Sequence, residues 1–345
     1  MRTASLDIVV TGLAAVSAAG VGLEPLALAV QEGKNCLRPL SGGDAGGATW
    51  GIAHDFRAGD FMPPLKARKF DRCSLMAVAT AGMALRDAGI DPRTGNAERI
   101  GIVLGCGFGG IANSAEFLAG YFSAGVEGLA PMLFPNTVAN AAASNASIEQ
   151  GFKGPNITIV QRFSSAETAL EIACRFLQEG RADVMITGGV DELTPLMIEG
   201  FRATGQLKRF ASGFGEGCGL LVLERRDDAV ARGAAVKGSI DDVRSLGLLL
   251  PGEEEAGLAR LFPQEISPCT ISLSGTADLC PPLVQRLPAS GRIELHRITG
   301  RSLAMGGLAL VALFLTLREG EEGLHLAASP EGPYVAIRVR GGFPV

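Results

Sequence analysis

Short apolar runs alternate with segments of helical spacing, and glycine marks most of the changeovers. The run at residues 7–13 predicts a first buried strand, and the spacing over Leu23–Glu32 a helix stopped by Gly33. Leu75, Val78, Ala79 and Met83 lie on one face of a helix over residues 71–88, with Gly89 as its stop. Residues 100–104 predict a strand, residues 111–122 a helix, and the Ala- and Asn-rich residues 137–150 another. The run at 157–160 is a strand that enters a tight turn, and a helix starts near Ser164. A strand at 184–187 follows, closed by Gly188-Gly189, and then a strand at 220–223 and a short helix at 227–232. The pattern then repeats in shorter form. Strands at 236–240, 270–273, 293–295 and 334–338 alternate with helices at 254–261, 279–287 and 302–317. Residues 42–59 read as a surface loop. Strands alternating with helices in two successive sets predict a mixed, mostly parallel α/β fold in layers. The halves span residues 1–230 and 231–345, with the linker near 225–238.

Composition narrows the function. Apolar residues make up 47% of the 345, enough for a large core, and the 47 glycines are about twice the usual share. Net charge is -5 with no basic stretch, so nucleic acid is not an expected partner. The seven cysteines form no C-x-x-C, which reads as reduced cytosolic thiols. His54, His296 and His325 show no metal spacing, so no metal is expected. The first residues lack the apolar core of a signal peptide, and residues 303–317 are too few to span a bilayer. The expectation is a cytoplasmic protein without a membrane span.

Candidate chemistry is sparse. Gly105 to Gly110 matches G-x-G-x-x-G, but no second strand follows closely to carry an acidic ribose ligand. The favoured reading is a glycine-rich turn at a tight strand-helix junction, and no cofactor is expected. The strand-turn-helix around residue 163 has the shape of a nucleophile elbow, with its tip at a helix N-terminus that would favour a thiolate. The tip residue is Phe163. Ser164 and Ser165 follow it, but Ser164 with Glu167 also reads as a capping box, which is the preferred account. His296, Ser302 and Ser274 are a second conceivable set, although a lone histidine beside a strand is more often structural. Asp183, Asp191 and Glu192 flank the Gly188-Gly189 turn and read as solvated or turn-bonding carboxylates.

The motifs together resemble the β-ketoacyl-ACP synthase family. They are DIVVTGLAAVSAAG at 7–20, Asp71-Arg72, DAG at 87–89, GCGFGG, Phe134-Pro135-Asn136, Gly154-Pro155, ADVMITGGVDE at 182–192 and GFGEGCGLLVLE at 213–224. They occur in family order through about two thirds of the chain. The resemblance implies the thiolase fold: two similar mixed-sheet halves in five layers, here with a shortened second half. It also implies catalytic positions, and this chain departs from each. Phe163 stands where the family has its acyl-accepting Cys. Ser274, in Ser-Gly-Thr, stands where the family has a His. In the stretch 296–301, His296 replaces a Lys and Arg301 the second His. The family's late Gly-Phe-Gly-Gly loop is not recognisable in Gly341-Gly342-Phe343. Condensation needs a thiolate to hold the acyl group and imidazoles to polarise the thioester carbonyl. The resemblance therefore implies a subunit that is not catalytic by itself, similar to a chain length factor. Such a subunit pairs with an active ketosynthase, works on acyl carrier protein through that complex, and shapes the acyl tunnel in type II polyketide or aryl polyene biosynthesis, a fatty acid biosynthesis-like chemistry. By the same resemblance Ile157 and Ile159 on the edge strand, with Phe134, Asn136 and Thr137, approach the partner and its tunnel, and Phe163 fills an obsolete site. The rival expectation is residual acyl transfer or malonyl decarboxylation on acyl carrier protein through Ser164, or through His296 with Ser274.

Overall fold

In the computed structural model, residues 7–39, 49–210, 213–263, 269–288 and 291–342 are described. Ten strands build the main sheet: β1 (Ile8–Ser17), β2 (Ile100–Cys106), β3 (Asn156–Ile159), β4 (Val184–Asp191), β5 (Gly217–Arg225), β6 (Gly238–Leu246), β7 (Thr270–Gly275), β8 (Arg292–Ile293), β9 (Glu322–Ala328) and β10 (Tyr334–Gly341). An eleventh, the two-residue Gly20–Val21, pairs with β1. Helices of eight residues or more are α1 (Leu23–Glu32), α2 (Arg72–Asp87), α3 (Ile111–Ala124), α4 (Ala141–Gln150), α5 (Ser165–Gln178), α6 (Pro195–Ala203), α7 (Glu254–Leu261) and α8 (Gly306–Thr316).

The strand order is β8-β7-β9-β10-β6-β1-β5-β4-β2-β3, which divides into two sets of the same topology. In the first, β2 lies parallel to β3 and β4, and β5 runs antiparallel between β4 and β1. In the second, β7 lies parallel to β8 and β9, and β10 runs antiparallel between β9 and β6. The sets join where β1 and β6 pair antiparallel, Ile8 opposite Ile240 and Val10 opposite Gly238. The second set is the smaller: β8 has 2 residues against 4 in β3, and the outer helix α7 has 8 against 16 in α2.

The layers follow from which surfaces are apolar. Helix α8 (GGLALVALFLT) is apolar all round and buried from Gly306 to Phe314. It packs on β1, β4 and β5 of the first set and on β7, β8 and β9 of the second. Helix α5 lies with it in the same core, touching β2 and β4 as well as β10. Helices α2 and α4 cover the outer face of the first set, and α7 that of the second. The result is the five-layered thiolase-like arrangement. Covering on both faces explains why β1 and β4 are buried at every position.

The sequence pattern misreads several elements. Strand β9 was not predicted at all, because Gly323 and His325 interrupt its apolar pattern, yet it pairs on both edges. Strand β4 does not close at Gly188-Gly189 but runs through them to Asp191. A β-carbon at Gly188 would strike the Gly219 carbonyl oxygen, and one at Gly189 that of Ala304, so these glycines serve close packing inside the strand. The helix expected at 279–287 shrinks to Pro281–Val284, and that at 302–317 to α8. Part of the expected loop 42–59 (residues 42–48) and Phe343 lie outside the described residues. Within the rest of that loop, Thr49–Trp50 pairs with Arg38–Pro39, and Trp50 is wholly buried. The expected linker at 225–238 contains the short helix Arg226–Ala231.

Candidate functional site

Strand β3 delivers the chain to a one-turn 3-10 segment, Arg162–Ser164, from which α5 continues. Arg162 takes a left-handed conformation, φ 53°, which an unbranched side chain tolerates at a cost of roughly 1 kcal/mol or more. Ser165 holds the turn: its hydroxyl accepts from the Gln161 amide at 2.9 Å and donates to the Arg162 carbonyl at 2.7 Å. The expected capping box does not form. The Ser164 hydroxyl, at the N-cap, makes no bond to the helix and donates instead to the Pro333 carbonyl at 3.0 Å. Glu167 turns into the interior rather than back to the N-cap.

Two of the four departures from the family pattern, Arg301 and His296, meet at Asp278, and a third, Phe163, is joined to Arg301 through the Phe210 ring. The Arg301 guanidinium is 1% exposed and binds Asp278 through both terminal nitrogens, at 3.0 and 2.9 Å. The same group donates to the Gly275 carbonyl. His296 Nε2 lies 3.4 Å from Asp278 Oδ2. Burial alone would raise the Asp278 carboxyl, but the hydrogen bonds and charge of Arg301, with His296, hold it below the usual carboxylate range. Burial and then the charge of Arg301 push the His296 imidazole down to about 4, so it is neutral at pH 7. Arg301 also lies over the Phe210 ring, 5.0 Å from its centroid, and Phe210 meets Phe163 edge-on at 5.6 Å.

The fourth, Ser274, faces away from this group. Its hydroxyl donates to Glu167 and lies 3.3 Å from His325 Nε2, which itself lies 2.8 Å from Glu167 Oε1. His325 Nδ1 meets Ser272 at 3.2 Å. The assembly of His296, Ser302 and Ser274 considered from sequence is therefore not the one that forms. The imidazole beside Ser274 belongs to His325, on the unpredicted strand β9. All four members of this network are buried, and the Ser274 hydroxyl and the carboxylate share one ring nitrogen, where a Ser-His-acid triad needs them on opposite ones. The Ser272 hydroxyl, on the other nitrogen, donates to the Ala309 carbonyl at 3.0 Å inside the core. No pattern in the sequence pointed to His325, and Glu167 was absorbed into the capping-box reading.

A cavity of about 420 Å³ opens beside Phe163, between α6, the turn after β2 and the segment 301–303. Phe108, Leu193, Phe201 and Phe214 give it apolar walls, with Phe201 and Phe214 stacked at 3.9 Å. Phe163 borders this space without filling it. Asp191 and Glu192 line it too, and both are buried rather than solvated, because β4 carries them inward past the two glycines. Asp191 accepts from the amides of Gly107 and Ala304, each at 2.7 Å, yet burial pushes it up to about 6. Glu192 accepts from the Ala112 amide at 2.9 Å, and burial pushes it up to about 7. Asp183 alone of the three is partly solvated, held by Arg99 and Arg225. In the G-x-G-x-x-G turn, a β-carbon at Gly105 would strike the start of α5 and one at Gly110 the Asn136 carbonyl, in keeping with a tight junction.

No cysteine replaces the missing thiolate at the turn. Cys106, Cys174 and Cys218 are buried, and burial pushes Cys174 and Cys218 up to about 12. Among the described residues, no group of His, Cys, Asp and Glu is arranged to hold a metal ion, and no helix is long and apolar enough to cross a membrane.

A second candidate surface lies at the open edge. Among the described residues strand β3 pairs only with β2, so its outer backbone groups are open to another strand. Ile157 and Ile159 are half-buried against the core. Phe134 is 59% exposed and packs its ring 5.8 Å from Phe117. The Thr137 hydroxyl donates to the Phe134 carbonyl. Asn136 is 4% exposed, and its side-chain amide is tied to the Lys69 carbonyl and to Asn145 within the chain. Helix α3 buries none of its residues, although it carries Leu118, Tyr121 and Phe122, the last 80% exposed.

Comparison with known proteins accords with these features. The family described as "Beta-ketoacyl synthase, N-terminal domain" matches residues 6–229. The chain is 31% identical over 253 residues to the 3-oxoacyl-(acyl-carrier-protein) synthase 2 of Synechocystis, covering 68% of this chain and 61% of that protein. It is 30% identical over 249 residues to the enzyme of that name from Vibrio harveyi, covering 66% and 60%. The matched part thus spans about six-tenths of these curated relatives. Among solved structures, the ishigamide ketosynthase/chain length factor superposes with a TM-score of 0.80 at 21% identity, over 97% of this chain and 99% of the other. A type II polyketide ketosynthase in complex with its acyl-carrier protein gives a TM-score of 0.80 at 18% identity, with the same coverage. The chain belongs to the β-ketoacyl synthase family and has its thiolase-like fold.

Proposed function

We propose that this chain is a non-catalytic, chain-length-factor-like subunit that pairs with an active β-ketoacyl synthase and shapes that partner's acyl tunnel in type II polyketide or aryl polyene assembly. One observation carries the reading. The tip of the elbow is Phe163, and the cation behind it, Arg301, is locked to Asp278 and the Gly275 carbonyl. A permanent guanidinium cannot cycle protons as an imidazole does, and a phenyl ring cannot hold a thioester. The rival reading, residual acyl transfer, finds little support in the geometry. Ser164 is buried and bonded to Pro333, and Ser274 is buried against Glu167.

The open edge of β3 and the unburied apolar helix α3 support pairing, because exposed apolar patches of this kind mark partner surfaces. A solved neighbour is itself named as a ketosynthase/chain length factor, which supports an active ketosynthase as the partner. Acyl carrier protein and its acyl chain would then meet the partner's site rather than Phe163. The reading is tested by incubating purified chain with an acyl-carrier-protein-bound electrophilic probe, alone and with an active ketosynthase of the same organism. Labelling is expected on the ketosynthase only. Labelling of this chain that disappears in Ser164→Ala would favour the enzyme reading.

A further inference from the structure

Helix α3 has few ties to the rest of the chain. It buries none of its residues, its N-cap is Gly110, and its first turn, Ile111-Ala112-Asn113-Ser114, carries no charge of its own. The amides at a helix start need partners from elsewhere when no local cap supplies them. Among the described residues, two hydrogen bonds through side chains tie α3 to segments beyond its own turn. Glu192 accepts from the Ala112 amide at 2.9 Å, and the Ser114 hydroxyl donates to the Thr137 carbonyl at 3.2 Å. The Glu192 carboxyl is also bonded by the Cys73 amide, at the start of α2. One buried carboxyl at the end of β4 thus joins the N-terminus of a helix packed in the core to that of a helix lying outside it.

The groups around Glu192 hold more acids than cations. Asp71 and Arg72 face it from the start of α2 with the Cys73 thiol, which meets that of Cys106, and Glu216 faces it from the segment before β5. Asp191 precedes it in β4, and Arg301, across the cavity, is neutralised by Asp278. Glu216 takes the Arg72 guanidinium and accepts from the Ala53 and Leu193 amides at 3.0 and 3.2 Å. Asp71 accepts from both the amide and the hydroxyl of Ser74. Of the three, Glu192 alone has neither an ion pair nor a hydroxyl on it. It is therefore the carboxyl that keeps its proton most readily, and burial pushes it up to about 7. If the start of α3 comes away, water reaches the carboxyl and it returns to its ordinary 4.5. The closed form thus has its advantage in full below about 4.5 and loses it as pH rises through about 7.

We propose that Glu192 is a pH-sensitive mooring for helix α3: protonated, it holds the start of the helix against α2, and ionised, it draws in water and lets that end come away while the core stays folded. The surface so governed, with Leu118, Tyr121 and Phe122, is the one assigned to pairing, and that consequence rests on the pairing reading. The mooring itself does not.

Amide hydrogen exchange of the full chain without a partner, resolved by peptide, tests the mooring. Glu192→Gln is the reference: glutamine accepts the same amide bond and carries no charge at any pH, and the ratio of the two chains cancels the intrinsic effect of pH on exchange. Exchange in α3 of the unmodified chain, relative to Glu192→Gln, is expected to rise at least about tenfold between about pH 5 and about pH 7.5, at rates well above those of the core helix α8. Ser114→Ala cuts the other bond but leaves the carboxyl, and is expected to keep this pH dependence. A ratio in α3 that stays constant with pH would overturn the proposal. So would exchange of α3 at the rate of α8, which would mean that the helix opens only when the whole fold does, or loss of the pH dependence in Ser114→Ala. Because no partner is present, failure to pair with a ketosynthase leaves these outcomes unaffected, and failure of the mooring leaves the pairing reading standing.

Discussion

At the scale of single residues, Phe163 and Arg301 form one unit through Phe210, Gly275 and Asp278, so restoring one catalytic residue does not restore the others. Phe163→Cys is expected to show no condensation above background in a carrier-protein assay with malonyl and acyl groups, because no imidazole faces the new thiol. Removing Arg301 leaves the Asp278 carboxylate buried and uncompensated. Arg301→Leu should therefore lose about 3 kcal/mol of stability in urea unfolding. Glu192 gives a pH signature. Its carboxyl ordinarily titrates near 4.5 and is pushed up to about 7 in the fold. The folded chain thus holds a proton that the unfolded chain has lost. The stability this provides is complete below about 4.5 and is lost as pH rises through about 7. His296, pushed down to about 4, works in the opposite direction below its ordinary 6.5, but it is common to both proteins in a comparison. Glu192→Gln should accordingly gain about 3 kcal/mol relative to the unmodified chain between pH 4.5 and pH 8. Thermal unfolding at both pH values checks this, and an unchanged difference would contradict a buried, raised carboxyl. The residues at 163, 274, 296 and 301 stand out in the sequence only through the resemblance of the motifs around them. Glu167 and His325 were not, because nothing local in sequence joins residues 158 apart that a folded core places at 2.8 Å.

At the scale of elements, helix α8 is the centre of the molecule and helix α3 its exception. Leu310 of α8 is wholly buried between the two sheet halves, so Leu310→Ala should cost about 3 kcal/mol. Helix α3 leaves Leu118, Tyr121 and Phe122 exposed to solvent. Phe122→Asp with Leu118→Asp should change the stability of the isolated chain by no more than about 0.5 kcal/mol and yet abolish pairing. A large loss of stability would instead mean that this face already packs within the chain. Periodicity located α1 and α7 to the residue, because each is a compact amphipathic segment between clear stops. It failed on β9 and on the second half of β4, where glycine inside a strand looks like a turn until the backbone packed against it is known.

At the scale of the whole molecule, two sets of five strands with one topology enclose a shared pair of helices. The alternation of strands and helices in two rounds was legible in the sequence. The antiparallel joining of β1 to β6 was not, because pairing between residues more than two hundred positions apart leaves no periodic trace. The exposed apolar helix and the free edge of β3 lie in the first half, the half that the family match covers. A single chain leaves that surface in water, and pairing would cover it. The most direct measurement is co-expression of the tagged chain with an active ketosynthase of the same organism, followed by affinity purification, size exclusion and mass determination. The account predicts a stable one-to-one complex in which the ketosynthase condenses acyl chains only when this chain is present. A stable homodimer that never takes up the ketosynthase would contradict it.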